Sequence, residues 1–167
     1  MSVFRHFFGF LACLFIGSQV AASPSTSRPV ERDILSLEIA GRPEAARRLS
    51  LSALERLPQQ TYAAMLPAEK RISSWQGVPL SQLFDTVQLG ESKRLRVDAL
   101  NDYSALIPLH DLSAYQPILA YRRDDRYIGI SDRGPLFIIY PLVSHPELRT
   151  QLYFNRTVWQ VSRITLE

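Results

Sequence analysis

Five consecutive apolar residues, Leu136-Phe137-Ile138-Ile139-Tyr140, stand between Pro135 and Pro141. A half-exposed strand alternates apolar and polar positions, so an unbroken run of this length predicts a central strand buried on both faces. The fold must therefore place material on each side of it. Alternation predicts further strands over Ile34–Ile39 and Arg47–Leu51, separated by the turn Gly41-Arg42-Pro43, and over Val158–Leu166. Thr61–Leu66 and Ile118–Tyr121 read as largely apolar strands. Arg123-Asp124-Asp125 turns the chain into Tyr127-Ile128-Gly129-Ile130. Leu95–Ala99 and Tyr103–Ile107, joined through Asn101-Asp102 and closed by Pro108, predict a hairpin.

Short helices fall between these strands. Ser52–Glu55 carries Ser52 as cap with Glu55 three residues on, and Pro58 closes it. Pro79 opens a second helix with Leu80, Leu83, Phe84 and Val87 on one face, ended by Gly90. His110–Tyr115 and Pro146–Leu152 give one or two turns each, while Pro67–Ser74 reads as a polar loop. Many short strands with small helices and no regular βαβ alternation predict an α+β fold with a mixed β-sheet.

The N-terminus reads as a Sec-type secretory signal over residues 1–22. Arg5 and His6 form a basic start, Phe7–Ile16 an apolar run too short to span a membrane, and Val20-Ala21-Ala22 a small-residue cut site. Cleavage near Ala22 predicts an exported, periplasmic protein. Residues 23–33, polar and Pro-rich, are a flexible leader, and residues 34–167 form one domain. The chain's one cysteine, Cys13, leaves with the signal. No disulfide and no Cys-rich metal site can be built from what remains.

The formal net charge of +3 comes from 19 cationic and 16 acidic side chains interspersed along the chain, so no nucleic-acid partner is expected. His110 and His145 have no second histidine at metal-ligand spacing, and no metal site is predicted. No Gly-x-Ser-x-Gly turn presents a nucleophile. Asp124-Asp125 lies in a charged turn rather than as a pair of opposed carboxylates. No catalytic residue is assigned. Two loops remain as ligand-cleft candidates: 67–75, with Lys70 and Arg71, and 131–135, with Arg133 beside Gly134-Pro135.

Five segments carry a resemblance. They are Trp75-Gln76-Gly77-Val78-Pro79-Leu80-Ser81-Gln82-Leu83-Phe84, Asp102–Leu109, Leu119-Ala120-Tyr121, Gly134–Pro141 and Val158-Trp159. In order and spacing they resemble the sulfite-oxidase-type oxidoreductase molybdopterin-binding domain, over residues 34–167. The resemblance implies a mixed α+β fold and, in catalytic members, a molybdenum–pterin cofactor whose metal is bound by a cysteine thiolate. That cysteine would fall near Ala64–Pro67, where this chain has none. In many catalytic relatives arginine also stands where this chain has Phe137, and an aromatic ring cannot hold a pterin phosphate.

Two function classes follow. The first is a non-catalytic exported domain, without cofactor, that uses its cleft for another small ligand or as an accessory to a membrane sensor or redox partner protein. The second is a molybdopterin-dependent oxidoreductase that holds its cofactor without a cysteine, through Lys70, Arg71, Tyr103 and Arg133. A cleft between Met65 and Arg133, open or filled, is the feature that bears most on the choice.

Overall fold

A computed structural model describes residues 32–67, 69–85 and 92–167. The predicted signal, nearly all of the leader, and the helix end at Val87 and Gly90 lie outside the described residues. The described residues form two five-stranded sheets and four short α-helices. This is the mixed α+β architecture that the pattern of short strands predicts.

The first sheet contains β1 (Asp33–Ile39), β2 (Arg47–Ser50), β5 (Arg94–Ala99), β6 (Ser104–Pro108) and β10 (Val161–Leu166), in the order β2-β1-β10-β5-β6. Only the β1–β10 pair in it is parallel. Leu35 and Leu37 of β1, Leu95 and Val97 of β5, and Ile164 and Leu166 of β10 point into the core. The opposite face is charged, and three of its arginines are paired in place: Arg94 with Glu167, Arg96 with Asp98 and Arg163 with Glu38, each at 3.0 Å. Such exposed pairs contribute at most about 1 kcal/mol each.

The second sheet runs β3 (Gln60–Ala64), β4 (Ser73–Pro79), β7 (Ile118–Arg123), β8 (Arg126–Tyr127), with β9 (Phe137–Ile139) also paired to β7. The polar loop expected over Pro67–Ser74 ends early, because Ser73 and Ser74 already pair with Ala64 and Ala63 as the start of β4. Gly77 is required there. A Cβ on it would lie 2.1 Å from the Leu119 carbonyl oxygen and 2.5 Å from the Ala120 Cα, at a register shift between β4 and β7.

The expected central strand holds: every side chain from Leu136 to Tyr140 is at most 2% exposed. One edge of β9 pairs with β7, Ile138 facing Leu119. The other edge receives the chain just before β10. Phe137 bridges Trp159, the Ile138 N–H donates to the Val158 carbonyl at 2.8 Å, and the Val161 N–H donates to the Leu136 carbonyl at 3.1 Å. The last strand therefore begins at Val161 and not at Val158. Gln160 adopts a left-handed conformation (φ 53°) that diverts Val158-Trp159 from the first sheet onto β9.

The helices α1 (Leu51–Glu55), α2 (Leu80–Leu83), α3 (Leu109–Ala114) and α4 (Gln151–Arg156) are too short to persist alone. Packing and local caps hold them. For α1 the cap is Ser50 rather than Ser52: the helix starts at buried Leu51, and the Ser50 hydroxyl accepts from the Ala53 N–H at 3.3 Å. Glu55 accepts from the Tyr127 hydroxyl at 2.6 Å. The helix expected over Pro146–Leu152 divides into a 3-10 turn at Pro146–Leu148 and α4.

One buried polar cluster anchors α4. The Asp111 carboxylate, 3% exposed, accepts from the Tyr140 hydroxyl at 2.8 Å and from Arg156 at 2.9 Å. Burial, reinforced by the neighbouring Asp111 charge, holds the Tyr140 phenol protonated well above the ordinary tyrosine range. Removing one partner of a buried pair strands the other charge, so Arg156→Met is expected to destabilise the fold by about 3 kcal/mol. The double variant Asp111→Asn/Arg156→Met recovers part of that loss, as a denaturant-unfolding cycle would measure. Gly77→Ala forces a Cβ against backbone that cannot yield, with an expected cost of about 2–3 kcal/mol in the same assay.

Candidate functional site

The segment from Ile128 to Gly134 separates two clefts. Its backbone is fixed locally: the Gly134 N–H donates to the Gly129 carbonyl at 2.8 Å, and the Arg133 N–H donates to that of Ile130 at 3.2 Å. Gly134 admits no side chain, since a Cβ would lie 2.1 Å from the Ile128 carbonyl oxygen. Arg133, immediately before it, sits in the left-handed region at φ 68°. For a residue with a Cβ that conformation costs about 1–2 kcal/mol. The segment is tied to the diverted chain before β10, because the Gln160 N–H donates to the Arg133 carbonyl at 3.0 Å.

The larger cleft, about 540 Å³, lies between the 71–73 segment and the β7–β8 hairpin. Arg71, Arg123, Asp124, Arg126 and Asp132 supply its charges. Most of them are already engaged. Asp124, in the left-handed turn Asp124-Asp125, accepts from the Ser74 N–H at 3.0 Å and from Arg71 at 2.5 Å. The Ser74 amide first, and Arg71 with it, hold the Asp124 carboxyl below the ordinary aspartate range. Arg123 donates bidentately to Glu69 at 2.8 and 2.6 Å, bonds the Ser73 hydroxyl, and lies 4.6 Å from the Trp75 ring centroid. These arginines brace the hairpin against β4.

The smaller cleft, about 210 Å³, is lined by Leu66, Pro67, Arg133, Phe137, Phe154, Thr157 and Trp159. Each wall has a different origin. Leu66 and Pro67 follow β3, Phe137 belongs to β9, Phe154 and Thr157 come from the end of α4, and Trp159 is carried there by the diversion at Gln160. Phe137 is held by an edge contact with buried Trp75, ring centroids 5.2 Å apart. The Thr157 hydroxyl is committed to the Tyr153 carbonyl at 2.9 Å. No carboxylate lines this cleft among the described residues. Its one charged group is the Arg133 guanidinium, which has no hydrogen-bond or ion-pair partner among the described residues.

The four residues expected at a ligand cleft do not converge. Arg71 lines the larger cleft, Arg133 the smaller, and Lys70 neither. Tyr103 lies beyond both, at the β5–β6 turn, where its hydroxyl donates to the Asn155 carbonyl at 2.8 Å and so tethers α4. Leu66, Phe154, Thr157 and Trp159 received no assignment from sequence. Leu66 and Pro67 do fall inside the interval Ala64–Pro67 marked for the missing cysteine, and the cleft lies between that interval and Arg133.

That position permits a direct test of whether a molybdenum–pterin group fits. Of the interval Ala64–Pro67, Leu66 and Pro67 line the cleft, and none of the four side chains is an anionic ligand for a metal. Phe137, where the resemblance implies an arginine, presents an aromatic ring with no donor for a phosphate. A cavity of about 210 Å³ also falls below the roughly 300–1,000 Å³ of sites for drug-sized ligands. The residues lining this cleft do not fit the group.

No protein-family model matches the chain, and no curated protein matches it. A solved structure does: the sulfane dehydrogenase SoxCD from Paracoccus pantotrophus, at a TM-score of 0.58 and 17% identity, covering 79% of this chain and 38% of that one. At that identity the likeness is one of fold, and the chain spans well under half of the protein it matches. The chain has the mixed α+β fold of the sulfite-oxidase-like molybdopterin-binding domain, as the five sequence segments imply.

Proposed function

We propose that this protein is an exported, non-catalytic binding domain that has kept the molybdopterin-type fold and uses the smaller cleft for a different, smaller ligand. The observation that carries the proposal is the lining of that cleft. Three aromatic rings, a leucine, a proline, a threonine and one arginine line about 210 Å³ beside the place where the resemblance puts a cysteine-bound metal. A site of this composition can hold and orient a small molecule. Its lining among the described residues includes no carboxylate, histidine or cysteine, and its one hydroxyl, of Thr157, is committed to the Tyr153 carbonyl.

The proposal includes export, supported by the signal-type sequence of residues 1–22, and absence of a molybdenum cofactor, supported by the side chains that stand in its place. No helix among the described residues is long and apolar enough to cross a membrane. A binding domain with no chemistry of its own acts through what reads its occupancy, so a membrane sensor or redox protein is the class of partner proposed.

The test is elemental analysis for molybdenum, together with assay for fluorescent pterin oxidation products, on protein purified from the exported fraction of a cofactor-competent host. Only background levels of both are expected. Stoichiometric molybdenum would overturn the proposal and restore the oxidoreductase reading, as would failure of the chain to reach the exported fraction for its localisation.

A further inference from the structure

We infer that the smaller cleft is a carboxylate site for a small organic anion with a flat apolar body, of the size and chemistry of a simple arylcarboxylate. The inference rests on the binding function proposed above and names its ligand class. Three features of the walls support it.

The first is charge. The Arg133 guanidinium is the only ionised group lining the cleft among the described residues, and it lacks any internal partner there. In the larger cleft across the Ile128–Gly134 segment, Arg71 and Arg123 are held by Asp124 and Glu69, and Arg126, likewise unpartnered among the described residues, shares the lining with the opposing charge of Asp132. A free guanidinium presents a planar fork of donors that matches the two oxygens of a carboxylate. The left-handed conformation of Arg133 ends the 3-10 turn Ile130–Asp132, with its N–H donating to the Ile130 carbonyl and its own carbonyl accepting from Gln160, and leaves the guanidinium unpaired.

The second is shape. Phe137, Phe154 and Trp159 are flat, and Leu66 and Pro67 complete the apolar lining of an open cleft. Aromatic walls favour a planar partner through stacked or edge contacts. A volume of about 210 Å³ corresponds to roughly seven waters at about 30 Å³ each, enough for a single ring with its substituent and too little for a fused cofactor.

The third is polarity. The Thr157 hydroxyl already donates to the Tyr153 carbonyl, so among the lining side chains Arg133 is the one free donor, too few for the several hydroxyls of a sugar. An inorganic oxyanion would satisfy Arg133 but leave the apolar walls unused.

The test is calorimetric titration of the full-length protein with benzoate, benzamide and sulfate. Benzoate is expected to bind with one-to-one stoichiometry, roughly tenfold or more tighter than benzamide, the isosteric neutral analogue. Sulfate is expected to be weaker than benzoate. Arg133→Gln collapses the benzoate preference to near parity, Arg133→Lys retains part of it, and neither changes the unfolding midpoint, because the side chain is exposed and unpartnered. Equal binding of benzoate and benzamide, or an unchanged preference in Arg133→Gln, would overturn the inference. Should Phe154→Trp then abolish that equal binding, the binding function stands and only the ligand class fails. Sulfate binding as tightly as benzoate would overturn the requirement for an apolar body. No binding of any of the three overturns the inference alone, and the molybdenum and pterin assay decides the proposed function separately.

Discussion

Backbone pairing on both edges of β9 is the constraint on which this molecule depends. A buried strand has no water to satisfy its N–H and C=O groups, so each edge must find a protein partner. β7 takes one edge, and the Val158–Val161 segment takes the other on its way into β10. The second sheet is thereby joined to the first through hydrogen bonds of the main chain. Apolar side chains on both faces then seal the strand between the layers, and the loss of either edge would leave buried polar groups unpaired.

The smaller cleft follows from the same arrangement. Trp159 can pair with Phe137 only because Gln160 turns the chain away from the first sheet for one residue. The carbonyl of Arg133 caps the same turn by accepting from Gln160. Sequence-distant residues thus meet through three backbone contacts. The cleft lies beside the interval in which the resemblance implies a cysteine, and it is lined by aromatic side chains. The likeness to the solved structure, at a TM-score of 0.58, is one of fold and carries no site with it.

What could be read from sequence was what depends on near neighbours. The Leu136–Tyr140 run, the β5–β6 hairpin and the alternation of β1 are local patterns, and the structure reproduces them. The β4 strand was partly hidden because Ser73, Ser74 and Gln76 look polar, yet Ser73 is buried against Arg123 and Gly77 allows close approach of β7. The cap of α1 shifted by two residues because burial of Leu51, rather than the capping-box spacing, sets where the helix begins. Among the candidate residues, Arg133 was placed at a cleft by its loop context. Arg71 and Tyr103 were drawn into bracing roles by Asp124 and Asn155, partners 53 and 52 residues away that no local pattern announces.

The walls of the smaller cleft also differ in stiffness. Phe137 and Trp159 are joined by a backbone bridge and Phe137 is wedged against Trp75, so that side can move only by breaking strand pairing. The opposite wall, carried by α4, is held chiefly by side chains: Tyr103 on Asn155 and Arg156 on Asp111. Evolutionary or engineered changes in ligand size are therefore accommodated most easily through α4 and its two tethers, with the strand side acting as a fixed anvil against which a new occupant is measured.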